Sequence, residues 1–420
     1  MCFYMKQRII TSQIKEKKSS KLGRIIVLTG ARQTGKTTLA GQCFPDYTYL
    51  SIEDPIQRIA YSKLTAKQWK ILYPQAVLDE VQKEPLLIQS IKSVYDQFPE
   101  PRYVLLGSSQ FLLMEKVRES LAGRCSIFEI YPLTLTEICT SDTNSTITPS
   151  FFVKYVLNEE EIGNIYPIFT LNPSFTSKKQ AFDLYLLYGG YPVMTHETLS
   201  EKEKWEWLLQ YVKTFLERDV RDLTSLRDLE PFLRLQNYLA YSTGNIVNYS
   251  SMAKECTVTV PTVQRYMRYI EMSYQAIVIP AWFSSPLKRL IKAPKVHMMD
   301  PGIMRAILRK KGQLTGSEFE SAIVAEIYKQ IKSFQLPLNC YHLRTQEGKE
   351  VDLLLENSDS FIAIEIKQTE HINASDAKNL INLQNLLDKP LKHCFILSND
   401  VETHHIGENI TAMHAAAFLG

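Results

Sequence analysis

The stretch Arg24-Ile25-Ile26-Val27-Leu28-Thr29-Gly30-Ala31-Arg32-Gln33-Thr34-Gly35-Lys36-Thr37-Thr38-Leu39-Ala40 decides how the rest of the chain is read. Arg24 to Leu28 is a short apolar run of strand type, and Thr38-Leu39-Ala40 opens a helix. Between them, Gly30 to Thr37 fits Gly-x-x-x-x-Gly-Lys-[Ser/Thr] without a mismatch. Strand, glycine loop and helix start, in that order, make a phosphate cradle. The glycines let backbone N–H groups face the phosphates, and the helix N-terminus adds positive potential. The motif therefore predicts that Gly30, Ala31, Arg32, Gln33, Thr34, Gly35, Lys36, Thr37 and Thr38 surround ATP. Lys36 would reach the β- and γ-phosphates, and Thr37 would hold Mg²⁺.

Downstream, Ala76-Val77-Leu78-Asp79-Glu80 is an apolar strand ending in two carboxylates. In this setting Asp79 is expected in the Mg²⁺ shell, and Glu80 as the general base that polarises the attacking water. A third apolar strand, Tyr103 to Leu106, runs into Gly107-Ser108-Ser109. Either Ser108 or Ser109 could sense the γ-phosphate, and the alternative is an ordinary polar turn. Leu121-Ala122-Gly123-Arg124 precedes another strand, Ser126 to Ile130. Arg124 reads as an arginine finger for a neighbouring subunit's nucleotide, or else as a surface arginine or one paired within its own subunit.

The chain has 420 residues, too many for one ordinary core and enough for two to four domains. Apolar residues make up 45% and charged residues 22%, a soluble globular balance, and the net charge of +3 neither requires nor forbids nucleic acid. The seven cysteines, at 2, 43, 125, 139, 256, 340 and 394, form no Cys-x-x-Cys pair, which argues against a disulfide framework or structural zinc. Met1 to Lys21 is basic without an apolar core, unlike a secretory signal. The dispersed cysteines fit a reducing cytoplasm, and no run reaches the roughly 18 apolar residues of a membrane span, so no membrane partner is expected.

Strands alternating with helical lengths over residues 22 to about 140, with Tyr47 to Ile52 as a further strand, imply a parallel sheet covered on both faces. The polar run Ser141 to Ser150 reads as a surface insertion, and Gln180 to Leu223 as helices broken at Gly189-Gly190-Tyr191-Pro192. Residues 224 to 312 read as mostly helical with one strand-like run, Ala276 to Trp282. Beyond Gly316 comes a helix, Ser317 to Ser333, then strands near Cys340 to Arg344, Val351 to Glu356 and Phe361 to Lys367.

The order of P-loop, acidic strand, polar sensor and arginine resembles the AAA+ ATPases. The fuller text resembles bacterial and archaeal AAA ATPases that carry an uncharacterised nuclease-like C-terminal domain. The matching residues are Gly30 to Thr38, Leu78-Asp79-Glu80-Val81-Gln82, Gly107-Ser108-Ser109, and Ser120 to Arg124 before Tyr131-Pro132-Leu133. They continue with Gly189 to Pro192, Arg218-Asp219-Val220 and Lys295 to Gly302. The resemblance implies an α/β fold class: a P-loop NTPase (AAA+) core at 1–140 and a helical lid with a polar insertion at 141–225. A winged helix-turn-helix domain at 226–312 and a restriction-endonuclease-like α/β domain of PD-(D/E)xK type at 313–420 follow.

The helix-turn-helix reading rests on Tyr249 to Ile270. Ala253 is small where two helices would cross, and Val263 would fill the facing core. Thr259 can cap the second helix, with Pro261 in its first turn. Thr257 stands at a tight turn where Gly is common. The second helix would expose Thr262, Gln264, Arg265 and Arg268 to phosphates and bases, with Ala276 to Trp282 as the wing. Such modules also serve protein contacts.

In the C-terminal part, Glu320 on a helix, Asp352 on a strand and Glu365-Ile366-Lys367 on the next resemble the carboxylates and lysine of the restriction-endonuclease-like fold. Asp352 and Glu365 would hold Mg²⁺ with Glu320 nearby, and Lys367 would stabilise the nucleophile or developing charge. Any half-exposed strand can also alternate Ile with charge. Three functions stay open: an ATP-driven DNA-associated switch or motor, a nucleotide-gated protein-interaction switch, and an ATP-regulated metal-dependent nuclease. Partners expected under these are DNA, a second copy in a homo-oligomer, or another protein.

Overall fold

The computed structural model describes residues 6–107, 117, 119–140, 146–216, 229–285, 287, 289, 292–345 and 347–420. Ser108, Ser109 and the Arg218 to Arg221 stretch lie outside the described residues, as do Ser141 to Ser145.

Five parallel strands form the first sheet: β1 (Ile25–Thr29), β2 (Thr48–Ser51), β3 (Gln75–Asp79), β4 (Arg102–Gly107) and β5 (Ser126–Glu129). Their spatial order is β2-β3-β4-β1-β5, so β4 separates the loop-bearing strand from the acidic one. Every residue of β1 is buried, as a continuous apolar run predicts for a strand covered on both faces. Its side chains divide by the period of two. Ile25 and Val27 join Trp69, Leu87, Ile88 and Ile91 on one side. Ile26 and Leu28 join Ile10, Ile14, Leu39 and Ala40 on the other.

The middle of the chain folds as helix Glu230–Tyr241, β6 (Asn245–Ile246), helices Tyr249–Glu255 and Val260–Met272, β7 (Ala276–Ile279) and β8 (Lys295–Met298). The strands are antiparallel in the order β6-β8-β7. Thr259 caps the second helix by accepting the Thr262 N–H, with Pro261 in the first turn. Ala253 and Val263 are buried where the helices meet. The run Ala276 to Trp282 does not stand out as an exposed wing. Ala276, Ile277 and Ile279 are buried in a paired strand, and Trp282 packs edge-on against Phe361.

Thr257, at the turn between the helices, has φ of +57° and an exposed side chain. A β-branched residue in the left-handed region is strained. Thr257→Asn is expected to stabilise this unit by about 1 kcal/mol, since Asn tolerates that region and little packing is lost. A thermal melt rising by about 2 °C would match. An unchanged or lower melting point would mean that the turn carries no such strain.

The C-terminal sheet contains β9 (Asn339–Arg344), β10 (Glu350–Glu356), β11 (Phe361–Ile366), β12 (Leu391–Ser398), β13 (His404–His405) and β14 (Ile410–His414). Their order is β13-β14-β12-β11-β10-β9, parallel from β11 through β12 to β14 and antiparallel elsewhere. The helix Gly316–Ser333 packs on this sheet, started by a capping box between Thr315 and Glu318.

The polar run that reads as a surface insertion does not end on the surface. Ser150 is fully buried, donates to Gln330 Oε1 at 2.6 Å and caps the helix Phe151–Val156. Phe152, Val153 and Tyr155 then enter the core beneath the C-terminal sheet, where Phe151 meets Phe395 and Phe418. The apolar stretch behind the polar run decides its placement, because burying those rings outweighs the exposure favoured by the polar residues.

Candidate functional site

The loop after β1 folds back tightly against the sheet. Gly30 has φ of +149°, and a Cβ there would lie 2.1 Å from the Ile130 carbonyl oxygen, so no side chain fits. Lys36 is buried at the start of the helix Lys36–Cys43 and donates to the carbonyls of Gly30 at 2.8 Å and Ala31 at 2.6 Å. Its ammonium therefore sits inside the loop that the sequence assigns to the phosphates. Thr37 and Thr38 are exposed on the first turn of the same helix.

Asp79 ends β3 opposite this turn. Its Oδ2 accepts from Thr37 Oγ1 at 2.8 Å and from the Tyr49 hydroxyl at 2.6 Å. Its Oδ1 accepts the Glu80 N–H at 2.9 Å. Burial first, and then the Asp79 hydrogen bond and charge, push the Tyr49 hydroxyl well above the ordinary tyrosine range, so it stays a donor. Glu80 is half-buried with φ of +57°, a left-handed backbone for a non-glycine residue. Gln82 donates its amide to Glu80 Oε2. Strain of this kind gathers where a side chain must be aimed.

A cleft of about 540 Å³ opens over the loop, a size that suits a nucleotide. Thr34 to Leu39, Asp79 and Glu80 form one wall, and Pro192, Val193, Thr195 and His196 form another. This second wall is anchored from two sides. Leu133 N–H donates to the Gly190 carbonyl at 2.6 Å, and Gly190 N–H donates to Asp300 Oδ2 at 2.7 Å. Asp300 also caps the helix Pro301–Ile307 through Oδ1. A Cβ at Gly189 would fall 1.9 Å from that Oδ1, with φ at +80°, so glycine is required there. The two short motifs around residues 189–192 and 295–302 thus meet in space. Tyr211 adds a contact to the loop by donating to the Arg32 carbonyl at 3.2 Å.

Sequence reasoning missed Arg8. It is 7% exposed and donates to the Thr34 carbonyl at 2.7 Å, the Tyr131 carbonyl at 2.6 Å and Glu137 Oε1 at 3.0 Å. Glu137, 1% exposed, also accepts the Ile9 and Thr134 N–H groups. One buried ion pair therefore shapes the loop from behind. Arg8→Met is expected to weaken ATP binding about tenfold, since a charge-assisted hydrogen bond is worth about 1.5–3 kcal/mol. A fluorescent-nucleotide titration reads this, and unchanged affinity in a folded variant would reduce Arg8 to scaffolding.

Arg124 lies elsewhere. It precedes β5, which runs parallel to β1, whereas the phosphate loop follows β1. It therefore sits at the edge of the sheet away from its own loop, paired to Asp96 Oδ1 at 2.8 Å. That pairing and the Asp96 charge raise its pKa further.

On the helix Val260–Met272, Gln264, Arg265 and Arg268 are exposed. Thr262 is only partly exposed and shares a hydroxyl contact with Thr259 at 3.0 Å.

The C-terminal carboxylates converge around a residue that was not expected there. Lys295, from β8, is 2% exposed. Its Nζ lies 2.7 Å from Glu350 Oε1, 3.1 Å from Glu320 Oε1 and 3.6 Å from Asp352 Oδ1. Burial opposes its charge, but Glu320, Asp352 and Glu350 overcome this and hold its pKa above the usual lysine range. Burial, then the Asp352 charge, push Glu320 up to about 8. Asp352 Oδ2 is taken by the Ile366 N–H at 2.8 Å, and Glu365 Oε1 by Lys367 at 2.7 Å and Asn379 at 3.3 Å. Burial, followed by the Asp352 charge, lifts Glu365 to about 7. The four expected residues do share one neighbourhood. Among the described residues, however, no three His, Cys, Asp or Glu side chains are arranged to hold a metal ion. An ammonium thus stands beside Asp352, one of the two residues expected to hold Mg²⁺, while the Oε2 of the other, Glu365, has no hydrogen-bond partner among the described residues.

Three family models match the chain in series: an AAA domain over residues 22–139, a domain of unknown function (DUF8612) over 179–314, and a domain of unknown function (DUF4143) over 315–418. Uncharacterised proteins of Mycobacterium bovis and Mycobacterium tuberculosis are each 27% identical over 395 residues, covering 90% of this chain and 79% of theirs. Among solved structures, a Walker-type ATPase of Pyrococcus abyssi aligns with 73% of this chain and 99% of its own, at 12% identity and a TM-score of 0.45. A signal-transduction ATPase with a tetratricopeptide repeat sensor from Pyrococcus horikoshii aligns with 76% of this chain and 45% of its own, at 13% identity and a TM-score of 0.27. Residues 22–139 are thus an AAA-type, P-loop ATP-binding domain. Among the described residues, no helix is long and apolar enough to cross a membrane.

Proposed function

We propose that this protein hydrolyses ATP at the Gly30 to Thr38 loop and uses turnover to reposition its middle unit on DNA. The carrying observation is the Thr37–Asp79–Glu80 arrangement beside the buried Lys36, at the mouth of a nucleotide-sized cleft. In the proposed reaction Glu80 accepts a proton from the attacking water as its oxygen bonds to the γ-phosphorus. The bond from that phosphorus to the bridging oxygen breaks, and ADP leaves with the electron pair. Mg²⁺, held through Thr37 and Asp79, would neutralise charge on the β- and γ-phosphates. Lys36 would leave the Gly30 and Ala31 carbonyls for those phosphates.

The second cleft wall gives turnover a mechanical outlet. A change at Pro192 to His196 would pull on Gly190, and so on Asp300, which follows directly from β8 and Met299. The DNA assignment is supported by the two successive helices Tyr249–Glu255 and Val260–Met272 and by exposed Gln264, Arg265 and Arg268 on the second. Those types suit phosphate and base-edge contacts, with Thr262 at the helix start. Arg124, facing away from its own loop, suits a role in a second copy's site within a homo-oligomer.

The test is ATP hydrolysis by wild type, Lys36→Ala and Arg265→Glu/Arg268→Glu, with and without single- and double-stranded DNA. Expected are Lys36-dependent turnover, stimulation by DNA, and loss of that stimulation alone in the arginine variant. Lys36-dependent turnover indifferent to any DNA would leave the ATPase standing and replace DNA with a protein partner, as in a nucleotide-gated interaction switch. Metal-dependent DNA cleavage abolished by Glu365→Ala would favour the nuclease reading instead.

A further inference from the structure

A buried lysine among carboxylates is costly unless its donors are met. An ammonium has three N–H groups; carboxylate oxygens of Glu350 and Glu320 meet Lys295 at 2.7 and 3.1 Å, and Asp352, at 3.6 Å, adds charge without a hydrogen bond. These carboxylates come from the helix Gly316–Ser333 and from β10, whereas the lysine comes from β8 of the other sheet. A second observation shows that the cluster retains acceptor capacity. Glu365 is 2% exposed, and its Oε2 has no hydrogen-bond partner among the described residues.

We infer that Lys295 is the resident cation of this carboxylate cluster, and that its ammonium and an oxygen-seeking divalent metal ion are mutually exclusive occupants. The oxygens that ring the ammonium are those a hard divalent ion would take, at distances of about 2.0–2.6 Å. Two cations within about 4 Å of each other repel, and paired-cation sites hold only where carboxylates offset both charges; here the ring of Glu320, Glu350 and Asp352 is already taken up by the ammonium. In the observed arrangement the cluster joins the middle unit to the C-terminal sheet, and metal could enter only once the Lys295 ammonium leaves the carboxylates. The inference does not rest on the ATPase or DNA readings.

The experiment titrates Mn²⁺ into nucleotide-free full-length protein carrying Asp79→Ala, which silences the carboxylate beside the phosphate loop. Free Mn²⁺ is followed by electron paramagnetic resonance. Expected is no Glu320-dependent binding in this parent. Adding Lys295→Met should create a Mn²⁺ site that a further Glu320→Gln removes. Mn²⁺ should also raise the melting temperature of the Lys295→Met protein by several degrees and leave that of the parent unchanged. A parent that binds Mn²⁺ through Glu320 as tightly as the Lys295→Met protein overturns the inference, as does a folded Lys295→Met protein that gains no site.

If Lys295→Met fails to fold, the parent decides, through labelling of Lys295 by an amine-reactive reagent with and without excess Mn²⁺. Absence of both binding and labelling, or binding together with new labelling, supports exclusion. Glu320-dependent binding with Lys295 still shielded overturns it.

Discussion

Glu80→Gln is expected to slow ATP turnover by about 10²–10⁴-fold while leaving ATP binding intact, the range ascribed to a positioned general base. The amide keeps the shape of the side chain and can still pair with Gln82, so the left-handed backbone at residue 80 need not change. What is lost is a group able to take the proton of the attacking water. Asp79→Ala should differ in kind, because Thr37 and Tyr49 both donate to Asp79 Oδ2 and would lose that partner. It should impair Mg²⁺-dependent binding as well as turnover. Phosphate release in single-turnover mixing, set beside a fluorescent-nucleotide titration, separates the two. Glu80→Gln turning over at the wild-type rate would remove Glu80 from the chemistry and reopen the search for a base along the cleft.

The largest stability loss is expected at Lys329. Lys329 and Glu326 are both fully buried on the helix Gly316–Ser333 and pair at 2.8 Å. Lys329 also donates to the Leu133 carbonyl at 2.8 Å and lies over the Tyr185 ring. Glu326 Oε1 accepts the Leu135 N–H at 2.7 Å and the Gln330 amide at 2.8 Å. The pair thus ties the C-terminal helix to the chain leaving the first sheet. Lys329→Met would leave an uncompensated buried carboxylate and cost about 3–5 kcal/mol. Glu326→Leu combined with Lys329→Met should recover much of that loss, because the remaining charge is removed as well. Denaturant unfolding of the single and double variants measures this. A single-variant loss of less than about 1 kcal/mol would mean that water reaches the site.

The nucleotide loop was legible because its chemistry is local. Gly30 to Thr38 are contiguous, and the strand before and helix after them follow from apolar runs only a few residues long. The acidic strand was equally plain, since an apolar run ending in Asp79 and Glu80 carries its carboxylates at its own end. Five strands of the first sheet and three of the C-terminal sheet were recognisable as segments. β6 and β8 were not. β6 is two residues long, and β8 reads Lys-Val-His-Met, with a charged residue and an imidazole where a buried strand would ordinarily show neither. β12 and β14 also escaped notice, although the apolar character of Cys394 to Leu397 was a signal that could have found the former.

From the order of its residues alone, the chain specifies a phosphate-binding loop, a carboxylate pair beside it and alternating helices and strands around both, because each depends on spacing within one element or its neighbours. Contacts across the chain depend instead on which apolar faces find each other, and no local pattern encodes that. Arg8 reaches Thr34 and Glu137, and Asp300 reaches Gly190, only after the cores have closed. Lys295 shows the difference most sharply. In sequence it is a polar residue at the start of a short strand, whereas in the fold it is a buried cation among Glu320, Glu350 and Asp352. Asp352, read as a metal ligand, and Glu320 beside it are there drawn to an ammonium, because a buried carboxylate cluster must be neutralised by whatever positive charge the folded chain brings to it.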